Sequence, residues 1–124
     1  MKLARWIFLA AAIYGIAVLI PSFFAEAMVQ PAITHPEFYY GFFASALVWQ
    51  LMFLLIASDP GRYRLLMLIG VLEKAAFFVP CLALYATGRL GFTGPFLGAL
   101  IDGVWMQLFL VAWWSARPQP APKA

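Results

Sequence analysis

The sequence predicts an all-α integral membrane protein, a four-helix bundle with both termini in the cytoplasm. Its 124 residues are 65% hydrophobic and 10% charged, whereas soluble domains are roughly 45–50% apolar and 25% charged. The apolar residues form four blocks longer than ~18 residues, the length of a membrane span. Sustained alternation of apolar and polar residues, which would indicate barrel strands, is absent. We expect one transmembrane domain over 1–116 and a disordered, Pro-rich tail over 117–124.

Charge and cysteine content exclude several classes of function. The net charge is +3, but the eight Lys and Arg residues are scattered along the chain. Without a basic run, we expect no nucleic-acid partner. Cys81 is the only cysteine, which excludes an intrachain disulfide and a multi-cysteine metal site. We expect neither a metal ion nor another cofactor.

The first span is predicted over 6–25, with one alternative. The basic start, the apolar stretch, Pro21 and the Ala-Glu-Ala string at 25–27 also fit a cleaved signal peptide. The apolar stretch is long for a signal peptide, however, and Phe23 and Phe24 extend it to spanning length. We therefore prefer a retained helix; cleavage would leave three spans in the same orientation.

The other spans are predicted over 38–57, 63–87 and 95–114. At ~1.5 Å per residue, each is long enough to cross ~30 Å of hydrocarbon as a helix. The string ASDPGRYR at 57–64 predicts a tight hairpin, because its serine and aspartate can cap a helix and its proline suits a first turn.

Basic residues flanking the spans predict the orientation. If four helices alternate, Arg89 is the only Lys or Arg on the side of the first and third connections. The side shared by both termini and the second connection holds six, namely Lys2, Arg5, Arg62, Arg64, Arg117 and Lys123. Since cytoplasmic loops are enriched in Lys and Arg, we place both termini in the cytoplasm.

Five polar residues are predicted to share one layer within the membrane. Counting helical rise from the cytoplasmic ends of three spans places them in a slab roughly 8 Å thick near the bilayer midplane. They are Gln50, Glu73, Lys74, Asp102 and Gln107. A charged residue at the centre of a lone helix costs roughly 2.5–3.5 kcal/mol, so we expect these groups to find one another.

The expected pairing follows from helix geometry. Glu73 and Lys74 are sequence neighbours and point about 100° apart, so they cannot simply pair face to face. We expect Lys74 to turn toward Asp102, and Glu73 toward Gln50 or Gln107. Alternatively Glu73 carries a proton, because burial penalises the charged form.

Two deep tryptophans, Trp49 and Trp105, are expected to close this cluster, and either could stack on the Lys74 ammonium. Near the last span, Gly94 and Gly98 have the small-x-x-x-small spacing that allows close helix contact.

His35 and Glu37 are predicted at the outer mouth of the bundle. With Glu26 they could surround a metal ion, but one histidine with scattered carboxylates is weak evidence for a metal site. We prefer a helix start, in which Pro36 occupies the first turn and Glu37 faces the positive end of the helix dipole. The long connection 24–38 is expected to fold over this mouth.

Four strings carry a resemblance to known proteins: HPEFYYGF (35–42), WQLMFLLIASDPGRYR (49–64), LEK (72–74) and GR (88–89). They resemble those of a group of small, mostly uncharacterised bacterial four-span proteins. The general plan is also similar to that of DoxX-like and EXPERA-type four-helix membrane proteins. EXPERA members include sterol isomerases and sterol-binding proteins that use acidic residues and a tryptophan within the bundle, types that Glu73, Asp102 and Trp105 match. The resemblance implies a multi-pass protein of the bacterial inner membrane.

Three functions are compatible with these features. The first is a site for a small lipophilic ligand in the polar cluster, where Glu73 or Asp102 would transfer protons if any chemistry occurs. The second is an accessory subunit or self-associating scaffold in which the cluster only joins helices; the glycines at 94, 98 and 103 suit it. Ion passage ranks last, because no polar residue links Glu73 to Glu37. No nucleophile-and-base pair or phosphate-binding loop indicates an enzyme.

Overall fold

The structure is a computed structural model that describes residues 2–120, and within that range it is all-helical. No strand occurs in the described residues. A short 3-10 turn, Glu26–Met28, lies in the first connection. The four α-helices are α1 (Lys2–Ser22), α2 (Pro36–Ser58), α3 (Arg64–Ala86) and α4 (Gly94–Ser115).

The four predicted spans are confirmed as helices. All four helices are long and apolar enough to cross a membrane. The first begins and ends earlier than predicted, because residues 23–25 leave the helix for the first connection. The helix α3 continues past Pro80 to Ala86. Residues 118–120 have no regular structure, and the rest of the predicted disordered tail, 121–124, lies outside the described residues.

The helices are not packed equally closely. The helix α1 packs on α2 and α4, and α3 packs mainly on α4. By contrast, α2 and α3 approach each other at few positions although a short hairpin joins them. On that side Phe42 and Phe77 meet, with ring centroids 5.3 Å apart. The α2–α3 side is therefore the loosest seam of the bundle.

A layer of aromatic rings forms the centre of the core. The ring of Phe8 stacks on Phe109 with centroids 4.2 Å apart, and Phe53 meets Phe109 edge-on at 5.0 Å. All three side chains are fully buried. A Cβ on Gly70 would stand 3.4 Å from the Phe109 ring, so this glycine allows α3 to approach the rings. The helices α1, α2 and α4 supply the rings of this layer, and α3 packs against it at Gly70.

At the end of the bundle that holds the termini, arginine side chains cap the C-terminal ends of two helices. The Nε of Arg5 donates to the carbonyl of Ala57, 3.2 Å away at the end of α2. The Nε of Arg64 donates to the carbonyl of Trp113, 2.9 Å away near the end of α4. Cations at helix C-termini are favourable because the last carbonyls lack partners and the dipole is negative there.

Candidate intramembrane polar site

Lys74 lies at the centre of the candidate site because of its position on the inner face of α3. The buried residues of this helix include Met67, Gly70, Lys74 and Cys81, spaced by three, four and seven, so they share one face. Lys74 follows Gly70 by one helical turn, and its Nζ lies 5.4 Å from the centroid of the Phe53 ring. The polar site therefore rests directly on the aromatic layer.

The predicted pairing of Lys74 with Asp102 is confirmed. The Nζ donates to Oδ1 of Asp102 at 3.4 Å, which joins α3 to α4. The same Nζ lies 3.7 Å from Oε2 of Glu73. The expectation that these sequence neighbours would not meet is wrong, because the long lysine side chain lets the ammonium reach the Glu73 carboxylate. One ammonium thus faces two carboxylates.

Glu73 is the member of the cluster whose hydrogen bonding is incomplete. Its Oε2 is buried and has no hydrogen-bond partner among the described residues, and at 3.7 Å the Lys74 ammonium provides only an ionic contact. The carboxylate of Asp102, by contrast, accepts from Lys74. Buried polar atoms are nearly always paired, so an orphaned acceptor calls for an explanation.

Gln50 turns toward α1 instead of joining Glu73. Its Nε2 donates to the carbonyl of Ala46 at 2.8 Å, within its own helix. Its Oε1 is buried without a conventional partner and occupies the place where a side chain on Gly15 would begin. The carbonyl therefore faces the Cα–H of Gly15, the weak contact that recurs at close helix crossings. The predicted Glu73–Gln50 pairing is wrong.

Gln107 lies outside the cluster. It is exposed, and so are its neighbours one turn away, Val104 at 60% and Val111 at 48%. Five residues of helix turn it about 140° from Asp102. Its predicted place in the cluster is wrong, because the depth estimate ignored the direction in which the side chain points.

The deep tryptophans do not contact the Lys74 ammonium. Trp105 packs against Tyr14, at 5.8 Å between centroids, and against the ring of Phe109 at 6.2 Å. Trp49 packs near Phe53 at 6.4 Å and lines an outward-facing cleft of about 490 Å³ on α2. The ring beside the ammonium is that of Phe53, which the sequence reasoning missed.

At the end of the bundle opposite the termini, where the sequence predicts the outer mouth, His35 and Glu37 form an exposed pair. The His35 Nδ1 lies 3.4 Å from Oε1 of Glu37, and both side chains are about two-thirds exposed, at 68% and 64%. Glu26 instead accepts a hydrogen bond from the hydroxyl of Tyr40. Within residues 2–120, no group of three His, Cys, Asp or Glu is arranged to hold a metal ion.

The expected helix start is observed at the same place, since α2 begins with Pro36 in its first turn. Tyr40 holds Glu26 of the preceding connection to α2, and the hydroxyl of Tyr39 donates to the carbonyl of Ser22, the last residue of α1, at 2.7 Å. A cleft of about 300 Å³ lies within the connection itself, between Glu26 and Ile33.

The glycines that allow close contact are not the predicted pair. A Cβ on Gly94 would meet nothing within 4 Å, and one on Gly98 would only touch Phe77, at 4.0 Å. A Cβ on Gly103 would stand 2.8 Å from the ring of Phe78. Gly103 on α4, like Gly15 on α1, therefore receives a large side chain of the neighbouring helix.

Comparisons of this chain with protein-family models, with curated proteins and with solved structures give no match in any of the three. The resemblance to DoxX-like and EXPERA-type proteins stays a prediction from the strings quoted above. The fold is thus a four-helix bundle of membrane-spanning length, and the site is the Glu73–Lys74–Asp102 cluster on its aromatic layer.

Proposed function

We propose that the chain is a multi-pass protein of the bacterial inner membrane with four spans and both termini in the cytoplasm. Support comes from the helix ends. The two arginines that close the C-terminal ends of α2 and α4, Arg5 and Arg64, lie at the end that holds the termini. The opposite end has Arg89 as its one basic residue other than His35. This asymmetry is the one that orients membrane proteins.

The Glu73–Lys74–Asp102 cluster binds a small lipophilic ligand that carries a hydrogen-bond donor. The observation that carries this proposal is the buried Oε2 of Glu73, which has no donor within hydrogen-bond distance among the described residues. An ionisable residue at this depth is costly, and such residues usually mark a functional site. A hydroxyl or amine of a ligand would complete the hydrogen bonding of this oxygen.

The surroundings of the cluster fit a ligand that is otherwise apolar. The ammonium of Lys74 lies against the Phe53 ring, and the side chains of Glu73 and Asp102 remain 16% and 20% exposed. The sparse contact between α2 and α3 offers a seam by which a lipophilic molecule reaches the helices from the bilayer. Ligand sites in bundles commonly lie between helices in this way.

A second candidate is an accessory subunit or self-associating scaffold in which the cluster only joins helices. The observation that favours it is the Lys74–Asp102 pair, which connects two helices that already pack closely. Gly41 and Gly94 also have open space beside them, where a helix of another chain could approach closely.

Native mass spectrometry of the protein purified in mild detergent separates the two candidates. The ligand proposal expects a discrete small molecule that stays bound and that solvent extraction recovers in defined stoichiometry. An empty monomeric bundle would contradict it. A defined oligomer or a bound protein subunit, with no small molecule, would support the scaffold instead.

A further inference from the structure

In the part of the chain that the structure describes, the end of the bundle that holds the termini has more basic side chains than carboxylates. Five basic side chains lie there in the described residues: Lys2, Arg5, Arg62, Arg64 and Arg117. None of them forms a salt bridge within residues 2–120. Among the described residues, the one side-chain carboxylate at this end is that of Asp59, which accepts the backbone N–H of Arg62 at 3.3 Å. This end therefore presents an excess of positive charge that attracts anions from outside the chain.

Two of these arginines are fixed in a way that leaves their terminal nitrogens available. Arg5 and Arg64 each use Nε for a helix-end carbonyl, Ala57 and Trp113 respectively. A guanidinium has five N–H donors, and the four on its terminal nitrogens form the fork that binds phosphate. In the described structure neither arginine uses these four for a hydrogen bond. The backbone contact thus holds the side chain while its fork stays free.

Exposed tryptophans at the basic end of the bundle indicate that this end contacts the headgroup layer of a bilayer. Trp6 is 64% exposed and Trp114 is 60% exposed. The guanidinium of Arg117 lies 4.5 Å from the centroid of the Trp114 ring. Indole rings prefer the headgroup level of a bilayer, where the ring meets apolar chains and its N–H meets polar groups. A soluble polyanion such as a nucleic acid would leave these rings in water.

We propose that this basic end is a binding surface for acidic phospholipid headgroups, in which the guanidinium forks of Arg5 and Arg64 hold the phosphate. Arg62 and Lys2 add attraction at the same membrane surface, and the tryptophans fix its depth. The inference is independent of any ligand at Glu73 and rests only on insertion of the bundle into a membrane. It predicts a preference for anionic over zwitterionic lipid.

The test is lipid retention by the full-length protein in mixed micelles that contain equal amounts of phosphatidylglycerol and phosphatidylcholine. Native mass spectra would count the lipids of each kind that stay bound. The wild type should retain phosphatidylglycerol preferentially. Arg62→Gln leaves the helix-end hydrogen bonds intact, and removing one surface charge should lower the preference roughly fivefold. The matched control is Arg89→Gln at the opposite end of the bundle, and this variant should change the preference for phosphatidylglycerol little.

A double variant, Lys2→Gln with Arg62→Gln, should lower the preference roughly 10- to 30-fold without touching Arg5 or Arg64. Equal retention of the two lipids by the wild type would overturn the proposal. So would an equal loss in Arg62→Gln and Arg89→Gln. Displacement of the bound lipid by millimolar inorganic phosphate would show a site for free phosphate instead of a lipid surface.

Discussion

The side-chain carbonyl of Gln50 on α2 occupies the space beside Gly15 on α1 that any larger residue would need. This single contact explains two features of the sequence. It explains why a glycine lies in the middle of the apolar helix α1, because the Cα–H of Gly15 faces the side-chain carbonyl of Gln50. It also explains why a glutamine is buried in α2: Gln50 packs against α1 and is not a member of the charged cluster on α3 and α4.

The first prediction concerns this contact. Gly15→Ala should destabilise the protein by ~1–3 kcal/mol, because the new methyl group overpacks the contact and displaces the buried amide of Gln50. Gly41→Ala is the matched control, since a Cβ there meets nothing within 4 Å. Thermal unfolding in detergent measures both. Equal stability of the two variants would show that the close approach of α1 and α2 is absent in the membrane protein.

The second prediction concerns the packing of α3 on α4. Gly103→Ala should lower the unfolding temperature, because the new methyl group would stand 2.8 Å from the Phe78 ring. Gly98→Ala, where the nearest atom is 4.0 Å away, should be tolerated. The compensating pair Gly103→Ala with Phe78→Leu should recover part of the loss. If the double variant recovers none of the unfolding temperature, the effect of Gly103→Ala does not come from its contact with Phe78.

The third prediction concerns the ion pair. Lys74→Met should destabilise the bundle by roughly 3–5 kcal/mol, because it leaves two carboxylates close together without a cation. Adding Glu73→Gln and Asp102→Asn to Lys74→Met should restore most of the stability, since the triple variant has no charge to neutralise. Chemical denaturation in detergent provides the comparison. A triple variant as unstable as Lys74→Met would contradict a dominant role of charge.

The fourth prediction concerns topology. In intact cells, a membrane-impermeant thiol reagent should label Gln30→Cys, in the first connection, and should label Ser58→Cys only after the membrane is opened. The native Cys81 is buried, and the unsubstituted protein is the control for its reactivity. Labelling of Ser58→Cys in intact cells would reverse the proposed orientation.

The fifth prediction concerns the first helix. Phe8 of α1 stacks on Phe109 and is fully buried, so loss of α1 would uncover the aromatic layer. We therefore expect the membrane-embedded protein to retain this helix, and an intact mass measured after purification should include it. A mass that lacks residues 1–27 would support the cleaved signal peptide instead.

The fold was largely predictable from the sequence, whereas the site was predictable only in part. The length and hydropathy of a span can be read from the local sequence without knowing its contacts, so all four helices were predicted. The Lys74–Asp102 pair was found because a buried cation needs a carboxylate and the depths agreed. Depth does not give direction, however. Two glutamines at the same predicted depth therefore diverge, Gln50 toward α1 and Gln107 to the exposed face of α4.

The missed residues had signals that were too weak to interpret alone. Gly15 follows Ala4, Ala11 and Ala12 on the buried face of α1, a stripe of small residues that indicates close packing but not its partner. Phe53 is one of twelve phenylalanines, and nothing in its sequence context indicates that it lies beside Lys74. Such contacts depend on how the helices are arranged around one another.

The most direct measurement of the central claim compares the wild type with Glu73→Gln, a change that keeps side-chain shape and removes the carboxylate. Both proteins would be purified identically, and bound small molecules and unfolding temperature would be recorded for each. The ligand proposal predicts that the variant loses the bound molecule, while its unfolding temperature after delipidation matches that of the wild type. An unchanged small-molecule content together with a lower unfolding temperature would contradict it and reduce the cluster to a contact between helices.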